Sequence, residues 1–251
     1  MSQNLLYRGA LLIVLAEFFL VLSGMIVKQI TGELPTEVIV FARNLFALVL
    51  LFPWLLRVGF SAVTTQCFGL HLFRAVVGVT AMMCLYYSWG HLPLAEAALL
   101  KQTAPFFIPL FAMWWLGERI SKTVICSILI GFVGVLLVLN PGHESLNVAV
   151  LIALTGAMLG ALAKVIIRRM SSSESPQTVV FYFALISSVI AFVPAIISWQ
   201  TPTMEQIGWL LLMACTSTIA QLCLSKGYAS APAGQLGPYT YTSVAIASLF
   251  G

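Results

Sequence analysis

The stretch SWGHLPLAEAALLKQTAPFFIPLFAMWWLGERISK, residues 88–122, decides how the chain is read. It is long and apolar enough to cross a bilayer, which takes about 20 residues of helix. Yet it carries Lys101 inside it, meets Pro105 and Pro109, and closes on Glu118, Arg119 and Lys122. Hydrocarbon offers no water to a backbone group that has lost its helical partner, so a helix broken at Pro105 and Pro109 must lie against protein or an aqueous cavity. The cation points the same way, because a lysine near the bilayer centre costs about 3 kcal/mol. Lys101, Pro105 and Pro109 recur every four residues, so a helix would set them on one stripe, and that stripe is expected to face inward.

The rest of the chain has the same character. Hydrophobic residues make up 61% and charged residues 8%, too little polar surface to cover a water-soluble globule, so the chain reads as a polytopic membrane protein. Apolar windows of spanning length fall at 9–29, 38–56, 68–90, 94–116, 123–140, 148–167, 178–199 and 206–226, and a ninth opens near Gly234. The connections between them are too short to hold a soluble domain. Arg8 precedes an apolar run too long for a signal peptide and without its small-x-small cleavage pattern, so this run is the first span.

The net charge of +4 is spread along the chain, which excludes a nucleic-acid patch. Arg8, Arg57, Arg74, Arg119, Lys122, Arg168, Arg169 and Lys226 fall at or near one set of span ends, with Lys28 near the other, and predict a cytoplasmic N-terminus. The five cysteines lack metal-ligand spacing and read as small buried hydrophobes, so no metal and no cofactor are expected. His71, His91 and His143 stand apart from any paired carboxylate, and no phosphate-binding glycine loop is present. No catalytic residue is therefore assigned, and the chain does not read as an enzyme.

The two halves echo one another. Pro35 and Pro53 have the separation of Pro176 and Pro194, and Leu85, Ser88 and Gly90 are matched by Leu222, Ser225 and Gly227. Five spans per unit would bring the second unit into the membrane upside down. The expected fold is an all-α polytopic membrane protein of two inverted five-helix repeats, ten helices when complete and about nine present here. The repeats are expected at 1–140 and 141–251, the second truncated after about four helices, because the sequence stops within an apolar run at Ser248-Leu-Phe-Gly251.

Pro93-Leu-Ala-Glu-Ala97, then Pro105, then Leu116-Gly-Glu-Arg119 resemble the EamA-type branch of the drug/metabolite transporter superfamily. Arg43 within Phe41-Ala-Arg-Asn-Leu45 matches the arginine that this family carries early in its second span. The resemblance covers the whole chain, more loosely in the second half, where no Gly-Glu-Arg ending occurs and Gly234 stands about where Glu96 would repeat. It implies a central substrate cavity and secondary transport of a small polar metabolite, such as an amino acid or a nucleoside-like solute, by proton-coupled or exchange-driven alternating access. The expected setting is a bacterial inner (plasma) membrane. The partners are a small-molecule substrate and the lipid bilayer, with a homodimer left open. The alternative is a membrane-embedded interaction or regulatory subunit without transport activity.

Eight residues are the candidates for substrate binding and transport: Glu17, Arg43, Trp89, Lys101, Lys164, Gln221, Tyr239 and Thr242. Charges left in lipid are costly, so Glu17, Arg43, Lys101 and Lys164 should face the bundle interior or a wet cavity. Glu17 reads either as a proton-coupling carboxylate or as the partner of a neighbouring cation. Lys101 reads as an anion-attracting group on the cavity wall or as one that snorkels to the interface. Arg43 either contacts substrate or pairs with Glu96 or Glu37. Lys164 shares a small-residue face with Gly156 and Gly160, and snorkelling toward Arg168 is its simpler reading. Tyr239, Thr242 and Ser243 would share a helical face of aromatic surface and hydroxyls, Gln221 is a weaker polar candidate, and Trp89 reads as an interfacial anchor or part of the cavity mouth. Glu118, Arg119, Lys122, Arg168 and Arg169 read as a solvated end cap.

Overall fold

A computed structural model describes residues 3–92, 94–139 and 148–250. Pro93, the connection Asn140-Pro-Gly-His143 and the expected boundary between the repeats lie outside the described residues. Among those described there is no strand. The helices are α1 (Gln3–Ile30), α2 (Thr36–Val58), α3 (Phe68–His91), α4 (Leu94–Lys101), α5 (Ala104–Leu116), α6 (Lys122–Leu139), α7 (Val148–Met170), α8 (Pro176–Ile197), α9 (Met204–Ser230), α10 (Ala233–Leu236) and α11 (Thr242–Phe250). Six of them, α1, α2, α3, α7, α8 and α9, are long and apolar enough to cross a membrane by length and composition.

Short polar signals set the helix ends. Ser175 Oγ accepts from Thr178 N at 3.1 Å and caps α8, whose first residue is Pro176. Thr203 and Gln206 cap α9 reciprocally, satisfying two N–H groups that the first helical turn leaves unpaired. Gly117 ends α5 with φ of 66°, a left-handed conformation that glycine adopts without steric cost.

The helices run alternately between two ends of the bundle. Gln206 Nε2 donates to Glu33 Oε2 at 2.8 Å, so α9 begins where α1 finishes. Glu118, after α5, meets Arg168 near the end of α7 and marks the opposite end. Thus α1 runs against α7, α2 against α8 and α3 against α9, the relation of an inverted repeat. Packing obeys it: α1 on α9 has its counterpart in α7 on α3, while α2 and α8 meet each other.

The fourth and ninth spans are both interrupted. In the fourth, the helix stops at Lys101, turns through Gln102 and Thr103, and resumes at Ala104. Pro105 has no N–H for the carbonyl four residues back, and its ring crowds that carbonyl. The sequence expectation of breaks at Pro105 and Pro109 is corrected here. The break lies just upstream of Pro105, and Pro109 sits inside α5. In the ninth span, Pro238 has the same effect, and a 3-10 turn at Gly237–Tyr241 separates α10 from α11. Gln102 Nε2 donates to Ser243 Oγ at 2.9 Å, tying the two interrupted spans together.

The outer surface carries large apolar side chains such as Leu11, Val49, Phe52, Ile130, Val189 and Ile197, as an integral membrane protein requires. Inside, one apolar cluster gathers Ile13, Ile108, Ile166, Met170, Tyr228 and Leu236 towards the Glu118 end. Another gathers Val27, Ile30, Ile39, Tyr86, Leu210 and Met213 at the Glu33 end. At the α3–α7 crossing, a Cβ on Gly156 would lie 2.8 Å from Cys84 Cβ and 3.3 Å from the Ala81 carbonyl. Gly156→Leu is therefore expected to cost about 1–3 kcal/mol by overpacking, read as a lower unfolding midpoint in detergent. The same change at Gly208, which has nothing within 4 Å of its Cβ position, is the control.

Candidate functional site

A cavity of about 170 Å³ lies between the two halves and is lined by both. That is well above what a single water needs, so it has room for several waters or a small organic molecule. Its charged groups are Glu17 from α1, Arg43 from α2, Arg74 from α3, Lys101 from the end of α4 and Lys164 from α7. Gln102, Gln221, Thr240 and Ser243 add neutral polar groups, and Met82, Leu85, Tyr86 and Phe183 add apolar and aromatic wall. The irregular backbone of both interrupted spans thus borders the cavity, where a chain at membrane depth tolerates it.

Glu17 and Lys164 pair directly, with Lys164 Nζ 3.2 Å from Glu17 Oε1. The expected snorkelling of Lys164 toward Arg168 is corrected: the carboxylate from the other half holds the ammonium in the bundle. Gly160, one turn before Lys164, has nothing within 4 Å of its Cβ position and leaves open space at the cavity wall. Lys101 makes no hydrogen bond or ion pair among the described residues, and stands within electrostatic reach of Glu17 and Lys164. Arg43 is not paired with Glu96 or Glu37. Its Nη1 donates to the Met82 thioether at 3.2 Å, and Glu37 accepts instead from Ser198 Oγ at 3.4 Å.

Arg74, which position alone marked as a span-end anchor, is 4% exposed and belongs to the cavity wall. Its guanidinium carbon lies 4.0 Å from the centre of the Phe183 ring, and Nη2 donates to Gln221 Oε1 at 3.1 Å. Gly78 leaves room for this arrangement, since a Cβ there would lie 2.7 Å from the Phe183 ring. Arg74 and Arg43 are within electrostatic reach of each other.

The expected strip on the ninth span is not assembled. The backbone at Gly237–Tyr241 is 3-10 rather than α, so Thr240 and Ser243 line the cavity. Tyr239 is outward and exposed, and Thr242 Oγ1 donates to the Tyr239 carbonyl. Trp89 lies in the last turn of α3, and its side chain is outside the described ones. Glu118 is not a solvated cap: its carboxylate accepts from Arg168 Nε at 3.4 Å, Ala233 N at 3.2 Å and Gly234 N at 3.0 Å, capping α10. Among the described residues no group of histidines, cysteines and carboxylates could hold a metal ion.

An all-α bundle of inverted repeats, with a charged cavity where two interrupted spans meet, is the architecture of a membrane carrier. The chain belongs to the EamA-like transporter family, whose sequence pattern matches residues 7–140 and again 147–251. The pseudopaline exporter CntI of Pseudomonas aeruginosa is 31% identical over 230 residues, covering 91% of this chain and 81% of that protein. The riboflavin transporter of Vibrio cholerae is 27% identical, covering 87% and 74%. The S-adenosylmethionine uptake transporter of Rickettsia bellii is 24% identical, covering 88% and 76%. A protein crystal structure with 19% identity superposes with a TM-score of 0.76 over 100% of this chain and 88% of that one, which shows the shared fold. Family and relatives point to a transporter of small metabolites rather than an enzyme.

Proposed function

We propose that the chain is a secondary carrier that moves a small polar metabolite across a bacterial inner membrane by alternating access. The observation that carries this is the cavity itself, which both halves line and which holds five charged side chains inside the helical bundle. The repeats at 1–140 and 141–251 are the two bodies that rock about the site, and a proton gradient or exchange drives them. The basic residues near one set of span ends support a cytoplasmic N-terminus. Glu17, Arg43, Lys101, Lys164, Gln221 and Arg74 are the proposed substrate-contacting or site-ordering groups.

The test is counterflow uptake into proteoliposomes, screening amino acids, nucleosides, vitamins and organic acids with pH matched or stepped. The expected result is saturable uptake of one class, lost in Lys101→Ala. A folded protein that moves no solute under any gradient would remove the carrier reading.

A further inference from the structure

Resting on that reading, we propose that the substrate is an organic dianion, with one acidic group seated at Arg43 and Arg74 and the other at Lys101. The cavity presents four cations against one carboxylate. That carboxylate, Glu17, is already engaged with Lys164. Neither arginine nor Lys101 has a carboxylate within ion-pair distance among the described residues, although Arg43 and Arg74 are only 6% and 4% exposed.

Cations kept for structure alone are ordinarily neutralised when buried, because an unpaired charge away from water is costly. Here the partners are neutral. Arg74 lies on the Phe183 ring and donates to the Gln221 amide, while Arg43 donates to a thioether, a weak acceptor. Such groups orient the guanidiniums without cancelling their charge. Arg74 Nε is buried with no hydrogen-bond partner. Two like charges within electrostatic reach also repel until an anion joins them. A carboxylate or phosphate accepts from guanidinium nitrogens in a planar fork and supplies that anion.

Lys101 forms a second positive centre. Its electrostatic neighbours are Glu17 and Lys164, and it stands at the break between α4 and α5, whereas Arg43 and Arg74 come from α2 and α3. Two cations around one carboxylate leave an excess charge there as well. A dianion with its acids apart satisfies both centres, whereas a single acid leaves one unneutralised. The same cavity is also lined by the polar Gln102, Thr240 and Ser243 and by the apolar Leu85 and Phe183, which suits an organic linker with a polar and an apolar side.

The experiment measures thermal unfolding of the purified protein in neutral detergent at constant ionic strength. The probes are linear dicarboxylates from malonate to pimelate and inorganic phosphate, with acetate and a neutral sugar as controls. At least one dianion is expected to raise the midpoint saturably and to bind about tenfold more tightly than acetate. The shift is expected to vanish in Arg74→Gln and in Lys101→Met. Without ligand, Lys101→Met is expected to melt no lower than the parent, because it removes an uncompensated cation and keeps the side-chain volume. A merely structural lysine would lower it. The proposal is overturned if no dianion outperforms acetate, or if the shift survives in both variants. Counterflow on the same preparations separates the two readings: saturable exchange of a neutral solute, unaffected by Arg74→Gln, keeps the carrier and removes the dianion.

Discussion

Glu17→Gln is expected to lower stability by about 3 kcal/mol, the lower end of the range for removing one partner of a buried ion pair. The cost lies in what remains. Lys164 Nζ sits 3.2 Å from Glu17 Oε1, with the side chains 16% and 3% exposed, and Lys101 stands within electrostatic reach of both. With an amide in place of the carboxylate, two ammonium groups share one stretch of wall without an anion between them. Access of Lys164 to the cavity keeps the loss from being larger.

Removing both charges with Glu17→Gln and Lys164→Met together is expected to recover most of that stability, since neither partner is then left uncompensated. Unfolding of the four proteins in mixed micelles with rising SDS gives the cycle, and a coupling of about 1 kcal/mol or more is expected for groups in direct contact. Simple additivity would show that the pair does not hold the two halves together. Glu17 and Lys164 are 147 positions apart in sequence, so this bond joins the first repeat to the second.

Features set by local sequence were legible before the structure. The apolar windows locate the spans, because length and composition alone decide whether a helix can cross hydrocarbon. Pro105 announces an interrupted fourth span, although the break falls at Gln102 and Thr103 because proline disturbs the turn before it. Intramembrane charge marks Glu17, Arg43, Lys101 and Lys164 as inward-facing, and all four line the cavity.

What was missed depends on contacts between distant segments or on local helix type. Arg74 lies six residues into α3, where hydropathy cannot distinguish an anchor from an inward group. Its place is set by Gly78 one turn on and by Phe183 and Gln221 from the other half. The Gly78 spacing was the available local signal, a gap one helical turn from an arginine. Glu118 looked like an end cap because its partners, Arg168 and the first amides of α10, lie 50, 115 and 116 residues on. On the ninth span, α-helical periodicity placed Tyr239 and Thr242 with Ser243. A 3-10 turn eclipses residues three apart, so Thr240 joins Ser243 instead.

The proposed alternating access requires the Glu118 end to open, and the structure ties that end across the halves. Thr65 Oγ1 donates to Glu174 Oε1 at 2.5 Å, Glu174 Oε2 lies 3.8 Å from His71 Nε2, and the His71 ring stacks on Tyr182. Tyr182 Oη donates to the Val63 carbonyl at 2.7 Å, and Thr178 Oγ1 to the Ala62 carbonyl at 3.2 Å. Cys67 Sγ is 3.5 Å from Ser173 Oγ, close enough for Ser173→Cys to complete a disulfide whose Cβ atoms are about 4 Å apart. Such a bond fastens the α2–α3 connection of the first half to the α7–α8 connection of the second.

The most direct measurement is uptake by Ser173→Cys in proteoliposomes, with Cys84, Cys126, Cys215 and Cys223 replaced by alanine, before oxidation, after it and after reduction. Oxidation is expected to bring uptake down to the level of empty vesicles, and reduction to restore it, while the same background with Ser173 retained is unaffected. Complete cross-linking with undiminished uptake would contradict alternating access through that end.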